Sequence, residues 1–70
     1  MITDLMKAIT AANIPPEHID HHATDLYLKV TPVTTEIINN YQYKNLVTKF
    51  IDNINHELWY EIPFAYYKED

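Results

Sequence analysis

Not one of the 70 residues is glycine. Every tight turn must therefore use residues that carry a Cβ, for which positive φ is costly and asparagine is among the best tolerated. Hairpin loops are the hardest elements to build under this constraint, because their favoured turns place glycine at a central position. Between two strand-like runs the chain offers "NH", Asn55–His56, in which asparagine suits positive φ better than histidine does. The same absence excludes glycine-rich loops that cradle phosphates, whether of the Walker or the dinucleotide type.

Other missing residue types narrow the chemistry further. There is no cysteine, so no disulfide staples the chain and no thiolate holds zinc or an iron–sulfur cluster. Serine is absent, which removes serine-nucleophile chemistry. Arginine is absent as well, and with it bidentate phosphate or guanine recognition. Five lysines face ten acids, a formal charge of −5. Such a chain repels a nucleic-acid backbone and is drawn to basic protein surfaces. The length allows one domain, residues 1–70, which buries only about 60% of its unfolded surface. No apolar run reaches the roughly 18–20 residues of a membrane span. "MITDLMKAIT" carries acid before base and no apolar core, unlike a signal peptide. With the missing cysteines, these features lead us to expect a cytoplasmic protein.

Along the chain, residues 3–13 read as an amphipathic helix with Leu5, Met6, Ile9 and Ala12 on one face. Thr3 is its expected cap, Asp4 suits its positive end, and Pro15–Pro16 end it. "TDLYLKVT", residues 24–31, alternates: Leu26, Leu28 and Val30 point one way, and Asp25, Tyr27 and Lys29 the other. That is a half-buried strand. Thr31 then caps a second helix with Pro32 at its first position, running to about Tyr41.

Residues 44–55 admit two readings. Leu46, Val47, Phe50, Ile51 and Ile54 form a helical stripe, yet "LVTKFI" is built from strand formers. "LWYEIPFAY" is a strand, so we expect a hairpin of Leu46–Ile54 with Leu58–Phe64; the alternative is a third helix. In the hairpin, Val47 and Ile51 share the helix-covered face with Leu58, Tyr60, Ile62 and Phe64. Phe50, Ile54 and Trp59 fall on the opposite face, with Asp52 across from Trp59. The expected architecture is α+β, in the order α-β-α-β-β, with two helices on one face of a three-stranded antiparallel sheet. Nothing is then left to cover the second face. An apolar patch there, rimmed by Asp52, Glu57 and Glu61, marks a partner surface.

Three of the four histidines fall within five residues, His18, His21 and His22. On one helix all three could face a metal ion. The segment opens on two prolines and must be extended by Thr24, however, and extension sends His21 and His22 to opposite faces. Surface histidines at a helix–strand junction are the expectation, with no cofactor and with metal binding as the alternative. Glu57 and Glu61 flank Trp59 about 13–14 Å apart by strand rise, too far for a catalytic dyad. We therefore expect no enzyme. Scattered acids with aromatic anchors suit complementarity to a basic cleft, carboxylates standing where phosphates would lie. Asp20, Asp25, Asp52, Glu57 and Glu61 supply the charge, and Tyr27, Phe50 and Trp59 the apolar contacts.

"IDHHATDLYLKVTP" and "LWYEIPFAY", together about a third of the chain, resemble stretches of small proteins carried by phages and other mobile elements. Size, acidity and the Ile/Asn/Tyr/Lys-rich composition are similar to those of anti-CRISPR and other anti-defence inhibitors. The resemblance implies a stoichiometric binder in the bacterial cytoplasm, acting on a basic partner such as a CRISPR effector subunit. It implies no direct contact with nucleic acid or membrane. An accessory protein that dimerises through its sheet is the competing expectation.

Overall fold

A computed structural model describes residues 4–22 and 25–63. Its elements in chain order are α1 (Leu5–Ala11), β1 (Ile19–His22), β2 (Asp25–Lys29), α2 (Pro32–Asn39), β3 (Thr48–Asp52) and β4 (Glu57–Pro63). Single 3₁₀ turns, Pro16–His18 and Lys44–Leu46, precede β1 and β3.

Helix α1 starts at Asp4, whose carboxylate accepts the Lys7 backbone N–H at 3.1 Å. The expected cap, Thr3, lies outside the described residues. At the other end Asn13 takes φ of 54°. Its N–H donates to the Thr10 carbonyl, and that of Ile14 to the Ile9 carbonyl. This pair of bonds is a Schellman closure, with asparagine where glycine is usual. Leu5 and Ile9 are buried, whereas Met6 and Ala12 stay largely exposed.

Helix α2 opens on a reciprocal capping box between Thr31 and Thr34, with Pro32 at the first turn. Thr34 is fully buried. Its hydroxyl accepts from the Thr31 N–H at 2.8 Å and donates to the Lys29 carbonyl at 2.6 Å. One side chain thus ties the end of β2 to the start of α2 and leaves no orphaned buried group there.

The sheet has four antiparallel strands in the order β1-β2-β4-β3. The α+β class and the two helices agree with the sequence reading; the strand count does not. The extra strand is "IDHH", which pairs with β2 from Ile19↔Leu28 to His22↔Asp25. It is a short edge strand with one half-buried residue, Ile19, followed by exposed ones. Such a strand leaves almost no hydrophobic signature.

Residues 44–55 form no α-helix. They give the 3₁₀ turn and then β3, hairpinned to β4. The register is two residues from the one expected: Asp52 pairs with Glu57 and Phe50 with Trp59, so the loop is Asn53–His56. Asp52 organises it. Its carbonyl accepts the His56 N–H at 2.7 Å, and its carboxylate accepts from the Ile54 N–H and the Asn55 amide. The side-chain bond supplies the closure that a glycine turn obtains from backbone freedom alone. His56 takes the left-handed conformation, φ 57°. Ile54, expected on a strand face, sits in the loop at 87% exposure. A two-residue shift preserves strand alternation, so the assignment of Phe50 and Trp59 to one face survives.

The core lies between the helices and one sheet face. Leu26, Leu28, Tyr60 and Ile62 from the sheet pack against Leu5, Ile9, Ile37, Ile38 and Tyr41. Tyr60 also hydrogen-bonds Thr35 at 2.9 Å between hydroxyl oxygens. Burial pushes the Tyr41 phenol up to about 12, with Tyr43 adding to the shift. Val47 packs against this core, but Ile51 and Leu58 remain exposed beside the hairpin. Phe64 lies outside the described residues.

His56 is held where a Cβ is costly. Replacing it with glycine should raise stability by a few tenths to about 1 kcal/mol, the relief of strain exceeding the added chain entropy. A urea midpoint for His56→Gly at or below that of the parent would contradict this account of the loop.

Candidate functional site

Burying Leu26, Leu28, Tyr60 and Ile62 under the helices forces their strand neighbours to the other side, because side chains alternate. The register carries this across the sheet. Tyr27 lies between Asp20 and Glu61, Trp59 between Lys29 and Phe50, Asp25 beside Pro63, and Asp52 beside Glu57. All eight residues expected at a partner surface therefore share the helix-free face: Asp20, Asp25, Tyr27, Phe50, Asp52, Glu57, Trp59 and Glu61. Half of the ten acids in the chain are among them.

The centre of this face is an open groove of about 330 Å³ lined by Asp20, His22, Tyr27, Phe50, Asp52 and Trp59. The Tyr27 and Phe50 rings meet edge to face, 5.8 Å between centroids and 82° between planes. Phe50 is 37% exposed on the edge strand β3. The Trp59 indole N–H is shielded from solvent and finds no acceptor among the described residues. Strand spacing and rise put Asp20 and Asp52, at the two ends, on the order of 15–20 Å apart.

Among the described residues the face carries five carboxylates and one lysine. Lys29 is committed: its Nζ lies 2.8 Å from Glu57 Oε2. Neither Asp20 nor Asp52 forms an ion pair with a lysine among the described residues. Asp25 and Glu61 interact across neighbouring strands. A hydrogen bond in which protonated Glu61 donates to Asp25, then burial, then the Asp25 charge raise Glu61 above the ordinary carboxyl value of 4.5. Hydrogen bonds from Tyr27 Oη and Thr48 Oγ1, both 3.4 Å, act in the opposite sense. The Tyr27 phenol is itself pushed up, by burial first and then by Glu61, Asp25 and Asp20.

The sequence reading missed two members of this arrangement. His22 belongs to the groove, a placement that follows once "IDHH" is extended, since it then alternates with Asp20. The Asp25–Glu61 pair joins residues 36 apart, and only the β2–β4 register reveals it.

The fold separates the three clustered histidines. His18 sits in the 3₁₀ turn, His21 lies on the Leu26 side of the sheet and His22 on the groove side. The three imidazoles do not converge, and among the described residues no group of three or more His, Asp or Glu could hold a metal ion. No helix among the described residues is long and apolar enough to cross a membrane. No protein-family profile, curated protein or solved structure matches the chain.

The Glu61 shift has a consequence for stability. The folded state holds this proton more tightly than the unfolded chain does. Its contribution is therefore fully present below pH 4.5, the ordinary value, and is lost as pH rises through the higher folded value. Glu61→Gln should raise the urea midpoint at pH 7 and have less effect at pH 4. The gain should shrink at about 1 M salt, where the screening length is about 3 Å. A midpoint unchanged or lowered at pH 7 would show that Asp25 and Glu61 do not repel each other in the folded chain.

Proposed function

We propose that the helix-free sheet face binds the basic surface of another protein, stoichiometrically and without catalysis. The observation that carries this reading is the collection of five acids and three aromatic residues on one face that no described element covers. Charge supplies attraction and register, and the half-buried rings supply apolar contact. The groove is open and shallow, which suits a macromolecular surface better than an enclosed substrate.

Carboxylates displayed on a rigid sheet can occupy a cleft that otherwise holds nucleic-acid phosphates. Together with the resemblance in size and acidity to anti-defence inhibitors, this points to a nucleic-acid-binding subunit of a bacterial defence complex, such as a CRISPR effector, as the partner. A homodimer formed by apposing this face to itself is disfavoured, because it would set five carboxylates against five.

The test is a charge reversal on each side of the molecule. Asp52→Lys and Glu36→Lys make the same change in net charge; Glu36 is exposed on α2, in the opposite layer. With a CRISPR effector as probe, Asp52→Lys should weaken binding about tenfold or more, the cost of removing one favourable charge and adding a repulsive one. Glu36→Lys should leave binding nearly unchanged, and duplex DNA should compete with the parent chain. Equal loss from both variants, or failure of DNA to compete, would contradict the proposed surface.

A further inference from the structure

We infer that the groove is an arginine-reading slot: it accepts a guanidinium side chain of the partner against the rings of Tyr27, Phe50 and Trp59. This deepens the reading of the face as a surface for basic proteins and rests on it. Acidity alone attracts lysine and arginine equally, whereas the groove discriminates between them by its construction.

The rings of Tyr27, Phe50 and Trp59 line it, two of them packed edge to face so that their relative orientation is fixed. Ring faces attract cations, and guanidinium gains most because it is planar and more weakly hydrated than ammonium. An ammonium must give up more of its hydration to reach the same rings.

The carboxylates are placed to match. Lys29 and Glu57 satisfy each other. Asp20 and Asp52 stand at the groove ends with no lysine partner among the described residues. A guanidinium lying over the rings can direct its N–H groups to a carboxylate while its flat face stays on an aromatic surface. The Asp20–Asp52 span also leaves room for a second cation on the same partner segment. His22 lines the groove beside Asp20.

The chain reports on its own groove, because Trp59 is its single tryptophan. The experiment titrates the full chain with two blocked hexapeptides of equal charge, one of arginine and one of lysine, at fixed low ionic strength. Tryptophan-selective fluorescence gives the affinity. The arginine peptide should bind about fivefold more tightly, within the range expected of a cation–ring contact. Phe50→Ala should bring the two affinities together while retaining charge-driven binding. Phe50 lies on an exposed edge strand, and far-UV circular dichroism checks that the variant is folded; Tyr27→Leu provides a second removal of a ring.

Equal affinities for the parent chain would overturn the slot and leave the acidic surface standing. Absence of binding by either peptide would overturn both. An arginine preference that persists in folded Phe50→Ala and Tyr27→Leu would place the discrimination elsewhere and overturn the assignment to this groove.

Discussion

Leu26 opposite Ile62, and Leu28 opposite Tyr60, is the pairing on which the molecule depends. These four side chains form the sheet's half of the core. Helices α1 and α2 exist as packed elements because they cover them; short helices have little stability of their own. Strand alternation turns this burial into a second, functional consequence. If the even-numbered residues of β2 and β4 face the helices, Asp25, Tyr27, Trp59 and Glu61 cannot. A slip of one residue would bury acids and expose the core, so the register is strongly specified by energy rather than by turn geometry.

That specification matters because the turns are handicapped. A chain without glycine meets positive φ with Asn13 and His56 among the described residues. Each is secured by a local device: the Schellman bonds after α1 and the Asp52 bonds within Asn53–His56. Asp52 thus serves two ends. Its carbonyl and carboxylate close the hairpin loop, and the same side chain stands at one end of the groove. Loop and surface are coupled through one residue.

The sequence made much of this legible, and for a uniform reason. Where alternation was strong, as in "DLYLK" and "ELWYEIP", both strand and face could be read, which puts Asp25, Tyr27, Glu57, Trp59 and Glu61 on one side. The helix caps were equally plain in Thr31–Pro32 and approximately so at Asp4. Illegible parts were those whose signal is carried by pairing. "IDHH" becomes a strand because β2 offers it an edge, and its residues are too polar to announce that. The helical stripe in residues 44–55 kept a third helix open as the alternative, because strand formers at irregular spacing also satisfy a helical period. Proximity of Asp25 to Glu61 arises from cross-strand register, which no local pattern encodes.

Electrostatically the face is unfinished. It gathers half of the chain's acids around three rings, and Lys29, the one lysine on it among the described residues, is already paired. Glu61 is raised by its hydrogen bond to Asp25, by burial and then by the Asp25 charge; like charges held together cost stability, and a cationic partner relieves that cost. The most direct measurement is amide chemical-shift mapping of the labelled chain titrated with the arginine hexapeptide. The account predicts saturable shifts concentrated at Asp20, His22, Tyr27, Phe50, Asp52 and Trp59, with α1 and α2 unmoved. Shifts centred on the helices, or spread evenly over the surface, would contradict it.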